Sequence, residues 1–144
     1  MPEITASMRV SDKDAKNIFG EFDSFLKLIE RSLHVECILR DNFLKIIGEA
    51  SNVNHAKEIF TELLILSERG NTITEQNVDY ALSLTFEEKA EPLIRLDESI
   101  ICHTINGKPI KPKTFGQEQY IKQIQDEMIV FGIGPAGTGK TYLA

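Results

Sequence analysis

Gly134-Pro135-Ala136-Gly137-Thr138-Gly139-Lys140-Thr141 is the stretch on which the reading of this chain turns. It satisfies G-x-x-x-x-G-K-[ST] at every fixed position, the pattern of a phosphate-binding P-loop. Glycines let the backbone turn so that successive N–H groups face one concavity and cradle phosphate oxygens. Lys140 brings a positive charge toward the β- and γ-phosphates and is the side chain assigned to catalysis. Thr141 offers its hydroxyl to Mg²⁺. All eight residues, from Gly134 to Thr141, are therefore candidate binders of ATP with Mg²⁺.

Such a match counts only between a buried strand and a helix. Met128-Ile129-Val130-Phe131-Gly132-Ile133 is a short apolar run, β-branched at its centre, and predicts a strand covered on both faces. Lys140-Thr141-Tyr142-Leu143-Ala144 can open the helix. A chance glycine-rich turn would have neither neighbour. Ala144 lies barely one helical turn past Lys140. The expectation is the N-terminal part of a longer ATPase, because a complete core needs further parallel strands and later acidic residues.

The 144 residues suffice for one ordinary domain, with 42% hydrophobic and 26% charged residues. The formal net charge of −6 argues against a broad nucleic-acid footprint, which is usually basic, and leaves room for a local one. The acid is unevenly spread. Residues 1–85 carry 9 basic and 14 acidic side chains, whereas residues 103–144, around the motif, carry 5 and 3. Cys37 and Cys102 stand far apart, and His34, His55 and His103 are scattered. No protein-built metal site is expected, and a reduced cytoplasmic protein fits best. No run approaches a membrane span and no signal peptide opens the chain.

Ile4 to Val10 alternates apolar and polar, which predicts a half-buried strand. Ser11 caps a short helix that Gly20 closes in the left-handed conformation. Asp23 caps a second helix carrying Phe25, Leu26, Ile29 and Leu33. Val35–Arg40 and Phe43–Gly48 read as strands joined by Asp41-Asn42. A long helix follows from about Val53 to Arg69, ended by Gly70, and a short one is capped by Thr74 with Ile73 stapled onto Val78. Residues 87–98 read as an acidic linker. A small hairpin is expected around Asn106-Gly107.

The fold class is therefore α/β (α+β). Residues 1–86 form one domain, 87–98 a linker, and 99–144 the start of a P-loop ATPase domain. The order strand-helix-helix-strand-strand-helix over residues 3–70 resembles a KH domain, a fold that binds RNA or single-stranded DNA through a G-x-x-G loop between two helices. Here the loop is Gly20-Glu21-Phe22-Asp23. Asp23 replaces the second glycine and Glu21 adds another acid, so a phosphate backbone would be repelled. The loop either serves packing and protein contacts or draws on the nearest cations, Lys13, Lys16, Lys27 and Arg31.

Thr114 and Gln117 are spaced as a capping box that opens a helix through Tyr120, Ile121 and Ile124. An amide placed just upstream of a P-loop strand can also pair with the amino group and N7 of adenine, because it both donates and accepts. Gln117 is read in both roles.

Taken together, Pro112-Lys113-Thr114, Gln117, Tyr120-Ile121 and the run from Val130 to Ala144 look like the PhoH family. These are cytoplasmic bacterial ATPases named for a phosphate-starvation-inducible protein. The resemblance implies ATP binding and hydrolysis with a role in RNA metabolism. The candidate partners are ATP and single-stranded RNA, with an oligomer of the full-length parent and no membrane. The competing reading is a KH-like module that binds RNA or protein and has no activity of its own.

Overall fold

The computed structural model describes residues 2–87 and 94–144. The chain divides into two compact units, Met1–Ile94 and Arg95–Ala144. It is a mixed α/β protein with two small sheets and several helices.

In the first unit β1 (Glu3–Arg9), α1 (Asp12–Phe19), α2 (Ser24–Leu33), β2 (Glu36–Arg40), β3 (Phe43–Glu49), α3 (Ala50–Glu68) and α4 (Glu75–Phe86) follow in that order. The strands make one antiparallel sheet in the order β1-β3-β2. Helix α3 crosses β1 and β3, α1 and α2 pack on α3, and α4 packs on α2 and α3. Ile18, Ile29, Leu44, Ile46, Val53, Phe60 and Leu63 are fully enclosed and form the core. Phe19 and Phe60 meet edge to face with ring centres 6.0 Å apart.

Local chemistry sets most boundaries. The Ser11 hydroxyl accepts from the Asp14 N–H and starts α1. Asp41 and Asn42 both take positive φ, 52° and 64°, as a two-residue hairpin turn requires. Helix α3 ends in a Schellman motif: Gly70 N–H donates to Ser67 and Asn71 N–H to Leu66. Thr74 and Asn77 form a reciprocal capping box, and α4 runs on to Phe86, well beyond a short helix.

Two caps depart from the sequence reading. Gly20 has φ 75° but an extended ψ of 177°, so it turns the chain without the left-handed helical cap. Asp23 stands at the start of α2 in the left-handed region, φ 57° and ψ 29°, and its side chain caps nothing. A capping side chain needs an extended backbone to fold onto the first turn. The hairpin expected around Asn106-Gly107 does form, as a three-residue loop in which Gly107 alone is left-handed, at φ 81°. The linker reading falls largely on residues 88–93, outside the described residues; beyond them Ile94–Asp97 forms one helical turn, α5, with Leu96 buried.

The second unit continues with β4 (Cys102–His103), β5 (Pro109–Ile110), α6 (Phe115–Asp126) and α7 (Lys140–Leu143). Glu118 of α6 accepts from Arg95 at 2.8 Å and from Ser99 at 2.9 Å. The Arg95 guanidinium also lies 4.8 Å over the Phe115 ring. The expected strand over Met128–Ile133 does not form. Its backbone is irregular, and Met128, Ile129, Phe131 and Ile133 are 74–99% exposed. A strand of that composition depends on neighbours for its hydrogen bonds and for cover on both faces, and among the described residues no strand pairs with it.

Candidate nucleotide site

The loop Gly134–Thr141 is held from one side by α6. Thr114 starts that helix, its hydroxyl accepting from Gln117 N–H at 3.1 Å. The Gln117 amide oxygen accepts from Lys113 N–H at 2.8 Å, one residue before the position a regular capping box would use. The amide nitrogen donates to the Thr138 carbonyl at 3.1 Å. Three residues further along the same helix face, the Tyr120 hydroxyl donates to the Lys140 carbonyl at 3.2 Å. Two side chains of α6 thus fix two carbonyls of the loop. This bracing role of Gln117 and Tyr120 escaped the sequence reading; the i, i+3 spacing of the two polar groups was the available signal.

Inside the loop, Gly137 and Gly139 take φ 81° and 84°, a conformation that strains any residue with a Cβ. The Thr138 hydroxyl donates to the Pro135 carbonyl at 2.9 Å. Lys140 folds back so that its ammonium donates to the Gly134 carbonyl and, at 3.4 Å, to the Pro135 carbonyl. Among the described residues no carboxylate pairs with it. Its charge is met by carbonyl dipoles alone, which an anion can replace. Ala136 and Thr141 are exposed. The residues fit a bound phosphate chain: a turn with two left-handed glycines, one cation with no carboxylate partner and an exposed hydroxyl. Among the described residues no group of three His, Cys, Asp or Glu side chains could hold a metal by itself.

In the first unit, the loop Gly20–Asp23 is tightly turned and acidic. A Cβ on Gly20 would sit 2.7 Å from Ser24 Oγ and 2.8 Å from the Phe25 ring, so only glycine fits there. Phe22 and Asp23 are both left-handed, and Phe22 is 86% exposed. Shallow grooves lie on either side. Lys16 lines one, Lys27 and Arg31 line the other, and Glu21 lines both. Lys13 lines neither. Elsewhere, burial first, then the nearby carboxylates Glu30 and Glu36, push the Cys37 thiol up to about 12, so it is an inert, protonated group. Among the described residues no helix is long and apolar enough to cross a membrane.

Comparison with known proteins converges on one family. Residues 109–144 match the family model described as PhoH-like protein. The PhoH-like protein of Bacillus subtilis (strain 168) is 38% identical over 131 residues, covering 91% of this chain and 41% of that protein. The PhoH-like protein of Mycobacterium bovis is 34% identical over 145 residues, covering 99% and 40%. That of Synechocystis is 30% identical over 145 residues, covering 100% and 44%. The chain spans about two-fifths of the length of these curated relatives. No solved structure matches it.

Proposed function

The chain belongs to the PhoH family, and from that premise we propose that it is an ATP-binding P-loop protein whose nucleotide chemistry serves RNA metabolism. The observation that carries the reading is the Lys140 ammonium. It is turned into a loop whose two left-handed glycines open the backbone, and loop carbonyls are its partners. On nucleotide binding Lys140 exchanges those carbonyls for phosphate oxygens. The N–H groups of Ala136 to Thr141 supply the remaining donors. Thr141 would hold the Mg²⁺ that accompanies the nucleotide, a cation that would neutralise phosphate charge. Hydrolysis is proposed for the whole protein, in line with the family resemblance.

Gln117 keeps half of its amide capacity. Its oxygen has a second lone pair and its nitrogen a second N–H beyond the bonds to Lys113 and Thr138. Those two remaining sites suit the adenine edge, so the same side chain braces the loop and reads the base. The order of elements in residues 3–70, with its β1-β3-β2 sheet, supports a KH-like module. A cytoplasmic location belongs to the same proposal and is supported by Cys37 and Cys102, both free thiols.

Calorimetric titration with ATP and Mg²⁺ tests the reading. Lys140→Ala should weaken binding tenfold or more, the effect of losing a charge-assisted bond of about 1.5–3 kcal/mol. Unchanged binding by that variant would refute the assignment.

A further inference from the structure

Helix α3 covers one face of the three-stranded sheet, and the opposite face is open. Side chains alternate along strands, and the strand register sorts the open face into rows. Arg9, Phe43 and Arg40 stand abreast in the row beside the hairpin turn, and Ser7, Lys45 and Ile38 in the next. Neither row holds a carboxylate, although Asp41 follows Arg40 in the turn itself. The two far rows, Thr5-Ile47-Glu36 and Glu3-Glu49, hold three carboxylates and no cation. Arg9, Arg40 and Lys45 are exposed, and among the described residues none of them forms an ion pair. Phe43 between them is 49% exposed.

An aromatic ring flanked by three unpaired cations, on a chain of net charge −6, is a local inversion of the overall sign. We propose that this end of the sheet is a binding surface for single-stranded nucleic acid, a proposal that rests on the RNA part of the reading above and not on the nucleotide site. A base stacks on Phe43, which every base can do because each has a π-face. Cross-strand neighbours lie about 5 Å apart, so Arg9 and Arg40 reach the phosphates on either side of that base while Lys45 reaches the next. The acidic loop with Glu21 and Asp23 offers no such attraction. A second copy of this chain fits the face less well. Six of its eleven outward side chains are charged, whereas the centres of protein interfaces are depleted in charge.

The test is fluorescence anisotropy of the whole chain with a labelled single-stranded RNA of about 12 nucleotides, titrated between about 50 and 200 mM salt. Three phosphate contacts predict a log–log salt slope of about −2. Arg9→Glu with Arg40→Glu should weaken binding at least about tenfold and flatten the slope. Phe43→Ala should weaken it about tenfold at an unchanged slope. Glu21→Ala with Asp23→Ala should leave affinity within about twofold, because the loop makes no phosphate contact. Far-UV circular dichroism checks that each variant is folded, and Lys140→Ala should retain RNA binding while losing ATP. Equal binding by the sheet variants would overturn the proposal. So would no binding at low salt, a loss that follows Lys16, Lys27 and Arg31 instead, or a dimer in sedimentation that the Arg9/Arg40 variant dissolves without any RNA binding.

Discussion

Asn17 does more for the first unit than its place on a short helix suggests. Its amide nitrogen donates to Ser67 Oγ at 2.9 Å and to the Asn71 carbonyl at 2.8 Å, and its oxygen accepts from Ile73 N–H at 2.9 Å. The Ser67 hydroxyl donates in turn to Asp14 Oδ1 at 2.7 Å, and the Ser11 hydroxyl donates to the other carboxylate oxygen. One side chain thus ties α1 to the end of α3 and to the segment entering α4. Asn17→Ala leaves the Ile73 N–H unpaired and should cost about 1–3 kcal/mol, read as a lower urea midpoint at an unchanged slope. The hydroxyls of Ser11, then Ser67, hold the Asp14 carboxyl below its ordinary range. A depressed carboxylate pKa gives stability that is full above the unfolded value and fades as pH falls through the folded one. Asp14→Asn should therefore lower the midpoint at pH 7. The gap to the parent should close below about pH 4. A gap that persists in acid would show that the contacts of Asp14 do not depend on its charge.

At the scale of elements, those that carry their own signals were legible. Ser11, Asp41-Asn42, Gly70, Thr74 and Thr114 each act within a few residues of themselves, and each marks the boundary that the chain adopts. The motif Gly134–Thr141 is contiguous, so its pattern is read without distant partners, and its role is the proposal made above. What failed depends on distant partners. Met128–Ile133 has the composition of a core strand but no strand beside it among the described residues. Asn17 finds its partners fifty or more positions away, and Gln117 reaches Thr138 across twenty-one. The i, i+3 spacing of Gln117 and Tyr120 is the sole local hint of the second, and nothing along the chain hints at the first. The bracing by α6 makes Gln117 the informative substitution there. Gln117→Ala removes the bonds to Lys113 and Thr138. It should narrow the preference for ATP over GTP while costing the fold only about 1 kcal/mol or less. Loss of stability with nucleotide preference unchanged would leave Gln117 a purely structural brace.

Across the whole molecule, order should be unequal, because the two units are built from different amounts of buried surface. The first closes over Phe60, Leu63 and Val53, all fully enclosed, with the nineteen-residue α3 through its middle. Opening it exposes that core, so amides near Phe60 exchange only with global unfolding. In the second unit Leu96, Pro112 and Ile121 are buried, and Met128, Ile129, Phe131 and Ile133 leave their side chains in water. Helix α7 (Lys140–Leu143) has no buried residue. The loop between them keeps its shape through the bonds from Gln117 and Tyr120 and through the fold-back of Lys140, none of them shielded by a core. Hydrogen exchange should then show strong protection near Phe60 and little from Val130 onward. Excess ATP with Mg²⁺ should bind weakly and raise protection over Gly134–Thr141 while leaving α3 unchanged. The weakness follows from the ordering of loop and helix that binding must drive. A loop already protected without nucleotide, together with tight stoichiometric binding, would mean that the site is preformed and that the bonds from α6 suffice to hold it.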